Sequence, residues 1–183
     1  MRYASIRELD ISNGEGIGVA LFVQGCPSPH CKNCFNPETW DFNGGKEWTQ
    51  EVEKEFLNLI KRPYITRVSF LGGEPLAEQN LNGVLNLVDK IRLLFPKKSI
   101  WLYSRYTWEE CNTLLKGIDE YCRTYNQNNK KRQQIISLCD VMVDGRFIDE
   151  KKDITLKWRG SSNQRVINIR ESLKQNKIVL YCD

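Results

Sequence analysis

Six short β-rich stretches alternate with amphipathic segments along this chain of 183 residues, and that alternation strongly limits the possible folds. The predicted strands are residues 17–24, 66–71, 99–103, 141–143, 166–169 and 178–181. Since strands joined by right-handed crossovers pair in parallel, we predict an α/β fold. We expect one domain over residues 1–183, a partial (βα)6-type barrel with a mostly parallel open sheet and helices on the outside. The loops that follow the strands then share one sheet edge, where functional residues should cluster.

Apolar periodicity predicts helices over residues 49–60 and 81–94. A third helix should begin at Thr107, where Thr-Trp-Glu-Glu has the capping-box pattern, and should run to about Tyr121. The polar run 123–134 has no apolar periodicity, so we predict an exposed loop or a frayed helix end there.

Composition disfavours several classes of protein. The net charge of +4, from 27 basic and 23 acidic residues, is mild and dispersed, so no nucleic-acid partner is required. No stretch has the ~18 apolar residues of a membrane span, and the N-terminal residues lack the apolar core of a signal peptide. We therefore expect a cytoplasmic protein without a membrane partner. With seven cysteines in a reducing compartment, metal or redox use is favoured over a disulfide framework.

Three of the cysteines, Cys26, Cys31 and Cys34, lie within nine residues directly after the first predicted strand. A structural zinc site needs four protein ligands, and a structural 4Fe–4S cluster normally takes four cysteines. A three-cysteine loop therefore leaves one iron of such a cluster open to another ligand. The alternative is a zinc site in which His30, the only histidine, completes the set. The loop alone does not decide between these two sites.

A second motif, Gly72-Gly73-Glu74-Pro75, follows the second predicted strand and should meet the cysteine loop at the same sheet edge. Glycines let the backbone approach a ligand closely. Glu74 offers an acceptor, and Pro75 stiffens the turn. Alone this motif is typical of an ordinary turn, but beside a three-cysteine loop it favours the iron–sulfur cluster.

Together the two motifs resemble those of the radical S-adenosylmethionine superfamily. The resemblance implies that Cys26, Cys31 and Cys34 ligate a 4Fe–4S cluster, and that the open iron binds the amino and carboxylate groups of S-adenosylmethionine. The cofactor-binding residues that it implies are Asn33, Cys34, Phe35, Gly72, Gly73 and Glu74. The spacing departs from the superfamily pattern, because four residues rather than three separate the first two cysteines.

A narrower similarity covers most of the chain. Segments 25–26, 35–40, 101–107, 144–148 and 158–167 resemble the activating proteins of anaerobic, class III ribonucleoside-triphosphate reductases. This similarity implies an activase in which the reduced cluster cleaves S-adenosylmethionine to methionine and a 5′-deoxyadenosyl radical. The radical then takes hydrogen from a glycine of the reductase and leaves a glycyl radical. The implied partners are the large subunit of the reductase and an electron donor such as flavodoxin.

Two other functions stay open at this level. One is a radical S-adenosylmethionine enzyme that acts on a small molecule or on another glycyl-radical enzyme. The other is a zinc-stabilised binding module built from Cys26, His30, Cys31 and Cys34.

Several residues outside the two motifs have more than one interpretation. Segment 159–165 is rich in hydrogen-bond donors, and is either a self-bonded turn or a contact to cofactor or partner. Asp144 is placed to pair with an arginine of that segment. Ser104 is either a loop cap or a contact to the cofactor ribose. The remaining cysteines lack metal-site spacing and are predicted to be free thiols: Cys111, Cys122, Cys139 and Cys182.

Overall fold

A single eight-stranded sheet carries five α-helices in the computed structural model, which describes residues 1–182. The strands are β1 (Arg2–Asp10), β2 (Gly18–Val23), β3 (Lys46–Glu47), β4 (Arg67–Gly72), β5 (Ser99–Tyr103), β6 (Val141–Asp144), β7 (Arg165–Asn168) and β8 (Leu180–Cys182). The helices are α1 (Gln50–Lys61), α2 (Leu81–Leu94), α3 (Trp108–Asn112), α4 (Glu120–Leu138) and α5 (Ile169–Gln175). The six predicted strands are confirmed, whereas β1 and β3 were missed because most of their residues are not buried and show no apolar alternation.

The strand order is β3-β1-β2-β4-β5-β6-β7-β8, and the sheet is open. Parallel pairing joins only the four central strands β2, β4, β5 and β6. The outer strands pair antiparallel, so the prediction of a mostly parallel sheet was wrong at both edges. Since β1 connects to β2 through a short loop, it can pair only in the antiparallel sense. The α/β class is confirmed, and the partial-barrel form stays a prediction because the sheet does not close.

The strand residues alternate between two faces of the sheet. One face packs against residues from all five helices and forms the main core. The opposite face is covered by none of the helices in residues 1–182, and it presents buried residues such as Phe22, Leu71, Trp101 and Val143. The sheet therefore has one face committed to the core and one face free to line a site.

A buried ion pair covers this second face at the start of β4. Arg67 Nη2 lies 2.9 Å from Asp10 Oδ1, and the two side chains are 0% and 1% exposed. Ser69 Oγ donates to the Asn13 carbonyl oxygen at 2.6 Å. These contacts hold the loop between β1 and β2 over the sheet, which places Asn13 beside the cavity described below.

Helices α1 and α2 match their predicted bounds closely. The capping box at Thr107 is confirmed, since its side chain and that of Glu110 each accept from the other's backbone N–H. Helix α3 nevertheless ends at Asn112, so the predicted end near Tyr121 was wrong.

Residues 123–134 lie inside α4, and the prediction of a loop or frayed end was wrong. Asp119 caps this helix by accepting from Cys122 N at 2.7 Å. The polar residues Asn129 and Arg132 are buried, because they donate to backbone carbonyl oxygens of neighbouring segments, including that of Leu76 at 3.0 Å. Because hydrogen-bonded polar residues take the place of apolar ones on this helix face, the sequence shows no apolar periodicity there.

No helix within residues 1–182 combines the length and the apolar character needed to cross a membrane.

Candidate functional site

The cysteine loop leaves the carboxyl end of β2 and is closed at its base by backbone hydrogen bonds. Gly25 N donates to Thr39 O at 2.8 Å, and Cys26 N donates to Trp40 O at 3.0 Å. Gly25 has a φ of +96°, and a Cβ there would lie 2.0 Å from the Phe42 ring. Only glycine fits this position, so the local sequence Gly-Cys sets the direction in which the loop leaves the strand.

The Gly-Gly-Glu-Pro loop lies directly against the base of the cysteine loop, as predicted from the shared sheet edge. Gly73 N donates to Val23 O at 2.9 Å, and Glu74 N donates to Gly25 O at 2.7 Å. A Cβ on Gly73 would lie 2.4 Å from the Gly25 carbonyl oxygen, so the two backbones approach as closely as glycine allows. The two motifs therefore form one hydrogen-bonded unit at the carboxyl ends of β2 and β4.

Glu74 has a structural use that the sequence did not show. Its carboxylate is 1% exposed and accepts from Leu76 N at 2.8 Å, Ser104 Oγ at 2.8 Å and Arg105 N at 2.7 Å. Burial raises the pKa of this carboxyl, while the three donors favour its charged form. The side chain thus ties the loop after β4 to the loop after β5, and its acceptors are already occupied by this chain's own donors. Ser104 therefore makes a loop contact, and because it also lines the cavity described next, its contact to the cofactor ribose stays a prediction.

A cavity of about 480 Å³ opens over this edge, on the face of the sheet that none of the helices in residues 1–182 covers. It is lined by residues of both motifs: Cys26, Cys31, Cys34, Phe35, Gly72, Gly73 and Glu74. The volume lies within the range of small-molecule and cofactor sites. The structure therefore brings the three predicted cysteines and the glycine motif to one concave surface.

Two thiols of this cavity, Cys26 and Cys31, have raised pKa values and so favour their protonated forms. Burial, with a contribution from the nearby Glu74 charge, raises the pKa of Cys26 to about 11. Burial and the neighbouring Cys34 raise the pKa of Cys31. A metal must displace these protons to bind, so binding releases protons.

The donor set fits an iron–sulfur cluster in its chemistry and its location. All seven cysteines are free thiols, and Cys26, Cys31 and Cys34 share one cavity. No group of three or more His, Cys, Asp or Glu side chains in residues 1–182 is arranged to hold a metal ion.

His30 contacts a neighbouring ring and a backbone oxygen, not the cysteine sulfurs. Its ring stacks on Trp40 with centroids 4.1 Å apart and planes 4° apart, and its Nε2 lies 3.0 Å from Cys26 O. His30 does not line the cavity that holds the three cysteines. The arrangement does not favour the four-ligand zinc site.

The two residues that flank Cys34 differ in placement. Phe35 lines the cavity, is 59% exposed, and packs against Phe147 with ring centroids 4.9 Å apart. Asn33 does not line the cavity, and its side chain donates to Asp149 at 2.7 Å. The cofactor-binding role of Asn33 stays a prediction without a contact to the cavity.

Segment 159–165 is both a self-bonded turn and a wall of the cavity. Gln164 Oε1 accepts from Gly160 N at 2.9 Å, which closes the turn, and the Arg165 side chain pairs with Asp144. Arg159 and Gly160 line the cavity. The expected pairing of Asp144 is thus confirmed, and of the two interpretations of the segment, the turn is present while a cofactor or partner contact stays a prediction.

Of two polar groups in the cavity wall, sequence reasoning missed Tyr103, whereas Arg159 belongs to the donor-rich segment 159–165 already named. The Tyr103 hydroxyl and the Arg159 Nε are buried and, counting every group in residues 1–182, have no hydrogen-bond partner. Burial raises the pKa of Tyr103, so its hydroxyl stays protonated. The sequence could have indicated Tyr103, because this residue ends the predicted strand 99–103 and so lies at the sheet edge where functional residues are expected. Unpaired buried donors beside a cavity are the groups that a polar ligand would satisfy.

Comparison with known proteins connects this site to one family. The model of a 4Fe-4S single cluster domain matches residues 12–167. Over 172 residues the chain is 36% identical to the anaerobic ribonucleoside-triphosphate reductase-activating protein of Escherichia coli (strain K12), covering 93% of this chain and 100% of that protein. The proteins of the same name from Vibrio cholerae and Enterobacteria phage T4 are 37% and 34% identical, covering 90% and 91% of this chain and 96% and 93% of theirs. The family model supports an iron–sulfur cluster as the bound group.

Proposed function

The chain belongs to the family of anaerobic ribonucleoside-triphosphate reductase-activating proteins, and from this premise we propose that it installs a glycyl radical on such a reductase. The observation that carries the proposal is the meeting of Cys26, Cys31 and Cys34 with Gly72 and Gly73 around one cavity. Three thiols that could hold a cluster therefore lie beside exposed backbone that could bind S-adenosylmethionine.

The bound groups supply the radical chemistry: one electron from a reduced 4Fe–4S cluster cleaves S-adenosylmethionine to methionine and a 5′-deoxyadenosyl radical, which takes hydrogen from a glycine of the reductase. The protein's part is to hold these groups, orient them and exclude water. No side chain of the cavity is required as a general acid or base.

In this proposal Cys26, Cys31 and Cys34 would hold the cluster, and S-adenosylmethionine would bind at the position that the three cysteines leave open. Gly72 and Gly73 present backbone to the amino group, because no side chain stands between them and the cavity. Glu74 contributes mainly by fixing this loop, since its carboxylate already accepts three hydrogen bonds.

Further residues complete the proposed cofactor site. Phe35 borders the cavity from the cysteine loop and offers an exposed ring for the adenine or the partner. Tyr103 and Arg159 contribute unpaired donors from the opposite wall. Asn33 remains a candidate only if the loop moves, because it now binds Asp149.

We infer that the partner is the large subunit of the reductase, and that a small electron-transfer protein such as flavodoxin reduces the cluster. A protein substrate fits the site, because the cavity opens on the face of the sheet that none of the helices in residues 1–182 covers. The reductase loop that carries the glycine would then close the cavity.

Anaerobic reconstitution with iron and sulfide tests the proposal directly. We expect a brown chain with about four irons, an electron-spin signal on reduction, and cleavage of S-adenosylmethionine. Cys31→Ala should lose all three properties, whereas Cys139→Ala, in the core away from the cavity, should keep them.

The partner is tested by mixing. A glycyl-radical signal should appear only when the reductase subunit, S-adenosylmethionine and a reductant are all present. A colourless chain that holds one zinc would refute the cluster. Multiple turnovers on a small molecule without the reductase would refute the activase and favour the small-molecule enzyme.

A further inference from the structure

One side chain from the loop after β5, Arg105, holds the four-residue segment between Cys26 and Cys31. Its Nη1 donates to the Pro27 carbonyl oxygen, and its Nη2 donates to the Pro29 carbonyl oxygen at 3.1 Å. The same Nη1 lies 3.9 Å from Cys26 Sγ. One guanidinium therefore contacts both the backbone of the segment and the sulfur of a proposed cluster ligand.

The backbone of Arg105 is held by a hydrogen bond. Arg105 follows the end of β5, and its backbone N–H donates to the buried Glu74 carboxylate at 2.7 Å. The side chain lines the cavity. The Glu74 carboxylate, which joins the loops after β4 and β5, therefore also fixes the backbone from which the Arg105 guanidinium extends.

The positive charge of Arg105 faces the cysteine loop without a close counter-ion. None of the ion pairs formed within residues 1–182 includes Arg105. Its donors go instead to neutral carbonyl oxygens and to the Cys26 sulfur. Two groups near it can carry a negative charge, the Cys26 thiol and the buried Glu74 carboxylate, and of these only the Cys26 sulfur is within hydrogen-bonding reach of the guanidinium.

The other side of the segment is also held. His30 stacks on Trp40, and its Nε2 lies 3.0 Å from Cys26 O. The segment therefore has contacts on both sides, although most of it is exposed to solvent. Of these contacts, only that of Arg105 carries a fixed charge.

We propose that Arg105 is a positioning residue for the cluster: it holds the carbonyl groups of Pro27 and Pro29 and places a positive charge against the Cys26 sulfur, which makes the cluster easier to reduce. This inference rests on the proposed function, because it requires a cluster on Cys26.

The physical reason is the charge of the reduced state. Reduction adds one negative charge to a cluster that already carries thiolate ligands. Hydrogen bonds to the sulfurs and nearby charges set the reduction potential of such clusters. A guanidinium against a ligand sulfur stabilises the reduced form more than the oxidised form, so its removal makes the potential more negative.

Redox titration of the reconstituted protein, followed by electron-spin spectroscopy, tests this role. Arg105→Gln keeps an amide donor but removes the charge, and we expect its equilibrium constant for one-electron reduction to fall about tenfold, or about 59 mV. Arg105→Lys keeps the charge and should lie between the two. Arg170→Gln is the matched control, because Arg170, which lies on α5, pairs with Asp140 and does not line the cavity.

The outcomes separate cleanly. An Arg105→Gln chain with full iron content and the wild-type potential would overturn the proposal. If Arg105→Gln binds little iron, Arg105→Lys decides: recovered iron with an intermediate potential supports the role. Equal loss of iron in both variants, together with an equal fall in melting temperature, would show that Arg105 only supports the fold. Wild-type protein that assembles no cluster would overturn the proposed function instead.

Discussion

Replacing Gly73 with alanine tests whether the close approach of the two motif loops builds the site. The added Cβ would lie 2.4 Å from the Gly25 carbonyl oxygen and 2.8 Å from its carbonyl carbon. Ordinary contact begins at 3.4 Å, so the two backbones must separate by about 1 Å. No flexible side chain can absorb this overlap, because the three nearest atoms all belong to the backbone of Gly25.

The energetic penalty follows from the contacts that the separation breaks. The hydrogen bond from Glu74 N to Gly25 O, now 2.7 Å, is stretched beyond hydrogen-bonding range. Its loss and the overpacking together should lower the free energy of unfolding by about 2–4 kcal/mol. For a chain of this size that corresponds to a fall in melting temperature of roughly 5–15 °C.

Calorimetry of the reduced, metal-free chain measures the stability, and iron content after anaerobic reconstitution measures the site. Gly160→Ala is the matched control: its Cβ would meet the rings of Phe35 and Phe147 at 2.9 and 3.1 Å, and the exposed Phe35 ring can turn away. We expect the control to melt within about 2 °C of wild type. If Gly73→Ala melts like the control and binds full iron, the contact between the loops is not what holds the site.

Two further changes test electrostatics and hydrogen bonding around the cavity. Arg165 holds the pKa of Glu109 at about 2, below its ordinary 4.5, so the stability from this pair is present above pH 4.5 and is lost as the pH falls towards 2. Glu109→Gln should therefore lower the melting temperature at pH 6. Because the pair is partly exposed, the loss of stability should be less than about 1 kcal/mol. The difference from wild type should shrink at pH 2, and a constant difference across this range would contradict the pairing. Tyr103→Phe removes a buried hydroxyl that no group in residues 1–182 satisfies, so thermal denaturation should show a stabilisation of about 1 kcal/mol, and a lower melting temperature would mean that the hydroxyl has a partner.

The central strands and the two motifs could be predicted because their signals are local. A β-rich apolar run defines each strand, and parallel neighbours necessarily bring their following loops to one edge. Cys26, Cys31 and Cys34 therefore met Gly72 and Gly73 as expected. Helix α4 escaped prediction because its buried polar residues are satisfied by backbone carbonyl oxygens of other segments.

The roles of Glu74, Arg105 and Tyr103 also depend on groups distant in the chain. Glu74 appears in the sequence as an acceptor for a ligand, yet its oxygens bind donors up to 31 residues away. Arg105 reaches carbonyl oxygens 76 and 78 residues earlier in the chain. Tyr103 has a hydroxyl whose lack of a partner is visible only once the strands are packed.

The sequence by itself determined the class of fold, the three thiols and the glycine turn, because spacing along a chain directly controls strand formation, ligand number and backbone freedom. Only the tertiary structure decided which groups are already satisfied, which remain free, and which charge faces the cysteine sulfur. Hydrogen bonds and electrostatic fields depend on distance in space, and a linear sequence does not contain those distances until the chain has folded.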